Sequence, residues 1–265
     1  MAHFDDLVAV FDKDRGDRDP KNDVGKLDPT LSFADAYRVQ FAAKARRVAK
    51  GDRIVGRKAS FTSSAVVKQF PDFPAPLVGT ILASHLRENG ATIDLNADSG
   101  ITFVENEIGA LMKRDLEGPG VTPLQALAAI EGFFPAIEIA PLGPGVLERT
   151  ITNQHIIAKE KADGGYLIVG STLLPPGQID VRFEGCVVSI NGKVVGSGAG
   201  VEAMGSPVNV VAAVANRLAE FGEKLRAGEI VITGALCGPA RAVKGDREAV
   251  VEFTRLGRVS VRFEA

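Results

Sequence analysis

Three acidic residues stand inside stretches that are otherwise apolar, and this pattern restricts the fold more than any other feature of the chain. Glu105 and Glu107 fall in Val104-Glu-Asn-Glu-Ile108, within a strand-like run from Ile101 to Leu111, and Glu138 falls in Ala136-Ile-Glu-Ile-Ala140. Side chains alternate along a strand, so Glu105 and Glu107 share one face, about 7 Å apart at Cα, together with Ile101, Phe103 and Leu111. An acid on an apolar face is costly to bury unless something compensates it. The spacing leaves two readings open. One is a strand face open to water. The other is a set of carboxylates gathered around a hard divalent cation, Mg²⁺ or Mn²⁺, which prefers oxygen ligands. Lys58, at the end of the short strand Arg53–Lys58, also reads two ways: as a solvent-facing strand end, or as a group that holds a substrate carboxylate or transfers a proton.

Charge and composition narrow the classes. Thirty-one Lys+Arg against 33 Asp+Glu leave a net charge of -2, without the electrostatic footprint of a nucleic-acid binder. With 45% apolar and 24% charged residues over 265 positions, a full hydrophobic core is available without disulfides or metal staples. No apolar run approaches the ~20 residues of a membrane span. The start, Met1-Ala-His-Phe-Asp-Asp-Leu-Val-Ala-Val10, has acids where a signal peptide has a basic region. Cys186 and Cys237 form no disulfide framework or metal pair, and read as small buried hydrophobes of a reduced, cytoplasmic protein. His3, His85 and His155 lack metal-type spacing, and His85 has only Glu88 as an acidic neighbour.

The organisation reads as a helical N-terminal region, 1–52, packed on a strand-rich core, 53–265. Ser32 with Asp35 has capping-box spacing and opens a helix to Lys50, stopped by Gly51. Candidate strands are Arg53–Lys58, Val78–Leu86, Ile101–Leu111, Ala136–Ala140, Gly165–Gly170, Ile230–Thr233, Ala249–Phe253 and Val259–Phe263. Thr122-Pro123 opens a helix to about Glu131, and Ser206-Pro207 opens one to about Leu225. Asn191-Gly192 between Val187–Ile190 and Lys193–Gly196 is a type I′ hairpin signal. The helices are too few for a βαβ array, so the expectation is an α+β fold built on a mixed, curled sheet. Gly196-Ser-Gly-Ala-Gly200 lacks the Lys-Ser/Thr and the strand-to-helix setting of a phosphate loop.

An ordered series of segments carries a resemblance. Phe33-Ala-Asp-Ala-Tyr-Arg-Val-Gln40, Ile54-Val-Gly-Arg-Lys58, Val104-Glu-Asn-Glu-Ile108, Phe134-Pro-Ala-Ile-Glu138, Met204-Gly-Ser-Pro207, Leu225-Arg-Ala-Gly-Glu-Ile-Val-Ile-Thr-Gly234 and Leu256-Gly-Arg-Val-Ser-Val261 follow one another over nearly the whole chain. In this order they resemble the fumarylacetoacetate hydrolase superfamily, in its branch of 2-keto-4-pentenoate (2-hydroxypentadienoate) hydratases and 4-oxalocrotonate decarboxylases. The resemblance implies an α+β fold with a mixed β-sandwich/roll core and a small helical N-terminal region. It implies a Mg²⁺ or Mn²⁺ site at Glu105, Glu107 and Glu138, and an active-site lysine at Lys58. The activity implied is a lyase acting on small 2-oxo or 2-hydroxy-dienoates of aromatic catabolism, as hydratase or decarboxylase, through a metal-stabilised dienolate. A small 2-oxo acid substrate, homo-oligomers and association with a pathway lyase are implied as partners.

The departures concern the substrate wall. Leu77 stands where hydratases of the branch carry an acid and decarboxylases an aliphatic residue, and Leu116-Glu-Gly-Pro-Gly120 is also decarboxylase-like. Ser60 replaces a glycine. Ala140-Pro-Leu-Gly-Pro-Gly145 replaces a polar stretch after Glu138, and Thr152-Asn-Gln-His155 keeps only the asparagine of the family's segment. Leu77, Asn153 and His155 are therefore the candidate substrate-binding positions, and His155 reads also as a surface or hydrogen-bonded structural histidine. Two alternatives stand beside the lyase: an acylpyruvate-type C–C hydrolase, which needs a His–acid base, and a diverged, non-catalytic partner of a neighbouring lyase.

Overall fold

A computed structural model describes residues 2–12, 30–63, 67–68, 74–95, 102–141, 165–238 and 240–264. The helices are α1 (Ala2–Asp12), α2 (Phe33–Ala49), α3 (Pro123–Ala129) and α4 (Pro207–Ala219). The strands are β1 (Ile54–Ser60), β2 (Leu77–Leu82), β3 (Leu86–Glu88), β4 (Thr92–Asp94), β5 (Thr102–Met112), β6 (Ile130–Pro141) and β7 (Tyr166–Val169). They continue with β8 (Gly185–Ile190), β9 (Lys193–Ala199), β10 (Ile230–Ile232), β11 (Ala240–Ala242), β12 (Glu248–Phe253) and β13 (Gly257–Glu264). An eight-stranded mixed sheet runs β2-β1-β10-β5-β6-β7-β3, with β11 also on β5. A five-stranded sheet runs β4-β13-β12-β8-β9. The expected α+β architecture with curled sheets is what the chain adopts. No helix among the described residues is long and apolar enough to cross a membrane.

Local chemistry explains most element ends. Ser32 accepts from Asp35 N–H and caps α2, and Thr122 and Gln125 form a reciprocal capping box on α3. The β8–β9 hairpin turns at Asn191 and Gly192, both at positive φ, as a type I′ turn requires. Three boundaries differ from expectation. The run from Val78 leaves the strand at Leu82 for a 3₁₀ turn, Ala83–His85. Helix α4 stops at Ala219, and Gly222 follows at positive φ. Pro135 does not end a strand but lies inside the twelve-residue β6. It sits one residue beyond the last β6–β7 pair, Ala136 with Val169, and its carbonyl accepts from Gly170 N–H at 2.9 Å. That carbonyl makes the last bond to the β7 side, and the ring offers no N–H to return it, so pairing with β7 stops at Pro135 while β6 continues against β5.

The main core lies between the two sheets and the helices. Leu7 and Val8 of α1, Tyr37 and Val39 of α2, and Val210, Val211 and Val214 of α4 pack with the sheets in one cluster. Tyr37 stacks on Phe221 at 4.5 Å between ring centroids. A smaller cluster, Ile81, Phe134, Ala136, Leu167 and Ile232, lines the other face of the large sheet.

Strand β2 is an end strand of the large sheet, and helix α2 covers its outward backbone groups at Val78. Val78 N–H donates to the Tyr37 hydroxyl at 2.9 Å, and Gln40 Nε2 donates to Val78 C=O at 3.2 Å. Tyr37 and Gln40 are three residues apart on α2, hence on one helix face. Burial pushes the Tyr37 phenol up to about 12, so it remains neutral. Tyr37→Phe removes the acceptor and leaves a buried N–H unpaired. The expected cost is about 1–3 kcal/mol of unfolding free energy, measured by urea denaturation.

Candidate metal and substrate site

The site begins with register. Strands β5 and β6 pair antiparallel, with Glu105 directly opposite Glu138 and Glu107 opposite Ala136. Side chains of directly paired residues lie on the same face, so Glu105, Glu107 and Glu138 converge. One carboxylate oxygen from each lies within 4.8 Å of the other two. Glu107 is fully buried, Glu138 nearly so, and Glu105 half-buried. The solvated-strand reading therefore does not describe these acids.

Lys58 reaches the same place from β1. Its Nζ lies 2.9 Å from Glu138 Oε1, and both side chains are 5% exposed. The register shows what this contact demands of the sheet. Lys58 is level with Ile232 on β10, Gly109 on β5 and Phe134 on β6, while Glu138 is four residues further along. In a flat sheet the two Cα atoms would stand roughly 14 Å apart across the strands and a further ~13 Å along them. The pair forms because the sheet curls; beside it the Phe134 ring lies over Gly109, where a Cβ would come within 2.2 Å of the ring. Alternation sends the neighbouring Arg57 to the opposite face. There it is buried against Thr80 and pairs with Glu223 at 3.1 Å.

The electrostatics disfavour three ionised carboxylates in one place. Burial, followed by the charges of Glu138 and Glu105, holds the Glu107 carboxyl well above the ordinary carboxylate range. Gly234 N–H donates to Glu107 Oε2 at 2.6 Å, and Gly234 adopts φ +93° against Thr62, where any Cβ would collide. Glu107 Oε1 has no hydrogen-bond partner among the described residues. A buried oxygen left unpaired beside two further carboxylates suits a hard divalent cation, which would be held by Glu105, Glu107 and Glu138.

Beside the Lys58–Glu138 pair opens a recess lined by Ile81, Leu167 and Ile232, with His85 at its wall. His85 is buried on the 3₁₀ turn, a placement its sequence neighbours did not reveal. Leu77 is fully buried in the main core and is not among the residues lining the recess. Asn153 and His155 lie outside the described residues. Gly234, too, carried no local signal; its role depends on a contact 127 residues away.

Known proteins resemble this chain over most of its length. The family model for the fumarylacetoacetate (FAA) hydrolase C-terminal region matches residues 47–264. A 2-hydroxyhexa-2,4-dienoate hydratase of Comamonas testosteroni is 33% identical over 241 residues, covering 89% of this chain and 88% of the relative. A 4-oxalocrotonate decarboxylase of Pseudomonas sp. (strain CF600) is 32% identical over 235 residues, covering 89% and 87%. The solved structure of 4-oxalocrotonate decarboxylase from Pseudomonas putida G7, complexed with magnesium and adipate, superposes with a TM-score of 0.88 at 29% identity, over 98% of both chains.

The raised Glu107 predicts a pH dependence. In the metal-free protein the folded state holds its Glu107 proton to higher pH than the unfolded state, whose value is near 4.5. The folded state then binds more protons, so this group lowers stability as pH rises above about 4.5. In chelator, Glu107→Gln should melt higher than wild type at pH 7.5, and the gap should close below pH 4.5. Mg²⁺ should raise the wild-type melting temperature and leave that of the variant nearly unchanged.

Proposed function

The chain belongs to the fumarylacetoacetate hydrolase family, and from that premise we propose that it is a divalent-metal-dependent lyase acting on small 2-oxo or 2-hydroxy-dienoates, of the hydratase or decarboxylase type. The observation that carries this reading is the convergence of Glu105, Glu107 and Glu138, the last two buried, with Lys58 bound to Glu138 at 2.9 Å. The names of the relatives support the substrate class, since they include hydratases of dienoates and decarboxylases of 4-oxalocrotonate.

A bound Mg²⁺ or Mn²⁺ supplies a Lewis acid that polarises the 2-oxo group and accommodates the charge developing on its oxygen. The protein's own residues do the rest. Glu105, Glu107 and Glu138 hold the cation. Their charge is offset on one side by Lys58 and on another by the Gly234 N–H. Ile81, Leu167 and Ile232 exclude water along an unsaturated carbon chain. Lys58 Nζ, oriented by Glu138 Oε1, is the group placed to stabilise negative charge delocalised along that chain and to move a proton to or from its carbon. Water adding at the far end gives a 4-hydroxy-2-oxo acid, and loss of a distal carboxylate gives CO₂. Self-association, implied by the family resemblance, belongs to the same reading.

Purified protein with Mg²⁺ or Mn²⁺ should consume 2-hydroxypenta-2,4-dienoate to 4-hydroxy-2-oxopentanoate, or release CO₂ from 4-oxalocrotonate. The dienoate absorbance and CO₂ evolution distinguish the two. Lys58→Met should lower turnover by about 10²–10⁴-fold, and Glu107→Gln should abolish the metal-dependent rate. No turnover of either compound, with intact metal binding, refutes the lyase assignment. Cleavage of acetylpyruvate to acetate and pyruvate would instead favour C–C hydrolysis, with His85 as the base to test.

A further inference from the structure

Asn106 separates two of the clustered carboxylates and points to the opposite face of β5. It is 0% exposed. Its amide is gripped from two sides: Nδ2 donates to Cys186 Sγ on β8 at 2.8 Å, and Cys237 Sγ donates to Oδ1 at 3.1 Å. Its backbone carbonyl accepts from Leu236 N–H at 3.0 Å. One amide thus ties the strand bearing Glu105 and Glu107 to the second sheet and to the segment that follows Gly234. Burial pushes the Cys186 thiol up to about 11 and raises that of Cys237, so both keep their protons at neutral pH and Cys237 has an S–H to donate.

The neighbouring strand is shaped to admit this grip. A Cβ on Gly196 would lie 2.9 Å from Cys237 Sγ, and one on Gly198 would lie 2.0 Å from Leu236 O. The glycine run that is not a phosphate loop therefore leaves a bare strip of β9, against which residues 236–237 lie. A buried amide bonded at both its nitrogen and its oxygen resists rotation, because turning it would strand donors and acceptors away from water. Successive side chains of a strand project from one backbone, so fixing Asn106 also fixes the direction of the residues on either side.

We propose that Asn106, clasped by Cys186 and Cys237, is a positioning residue that sets the aim of Glu105 and Glu107 at the divalent cation, so that metal affinity depends on two thiols on the far side of the sheet. The inference rests on the metal-binding reading given above. Groups that hydrogen-bond metal ligands directly are worth about 10–100-fold in affinity, and Asn106, which acts through the backbone between two ligands, should reach the lower end of that range.

Mn²⁺ binding by the full chain, followed by electron paramagnetic resonance, tests it. Asn106→Leu and Cys237→Ala should each weaken Mn²⁺ binding about tenfold while near-UV circular dichroism remains that of the folded protein. Cys237→Ser, which restores a donor to Oδ1, should recover most of the loss. Equal affinity in wild type, Asn106→Leu and Cys237→Ala would overturn the clasp and leave the metal site standing. So would a loss that only tracks the unfolded fraction, or one that serine does not restore. Failure of the wild type to bind Mn²⁺ would overturn the metal site and the clasp together. Should Asn106→Leu not fold, the Cys237 pair decides the question alone.

Discussion

The repulsion among three carboxylates is the constraint around which this molecule is arranged. Two strands hold Glu105 and Glu138 face to face, and Glu107 is buried beside them. Lys58 supplies one positive charge at 2.9 Å and Gly234 one N–H dipole. Three carboxylates less one ammonium leave two negative charges, the charge that a divalent ion cancels. The eleven-residue β5 and twelve-residue β6 hold the acids together through a long ladder of backbone bonds that does not depend on the ion.

The components of the site were legible in the sequence because they follow local rules. Alternation put Glu105 and Glu107 on one face, and an acid between isoleucines marked Glu138. Ser32, Thr122, Ser206-Pro207 and Asn191-Gly192 announced their caps and turn. Their assembly was not legible. Nothing local sets Glu105 opposite Glu138, and nothing near Lys58 shows that it meets Glu138, 80 residues away, across a curled sheet. Pro135 concealed the length of β6, because its cost depends on which edge its nitrogen faces. His85 looked isolated because its companions in the recess come from other strands.

The cysteines show the same limit from another side. Their composition reading, small and buried, holds for Cys186 at 5% exposure, while Cys237 is only partly buried. What they do depends on a single asparagine distant from both along the chain. The glycines of β9 acquire their meaning from the same contact. A strand without side chains on one strip is a place where another backbone can lie close.

The covering of β2 by helix α2 has a consequence for how the chain behaves before it is complete. An end strand whose Val78 N–H and C=O are taken up by Tyr37 and Gln40 is a poorer template for another molecule at that point. A chain in which that helix has been lost or has not yet docked presents a bare, apolar edge, Leu77-Val-Gly-Thr-Ile-Leu82, buried along its whole length in the native fold. Aggregation through that edge is then the failure to expect of a truncated or slowly assembling polypeptide.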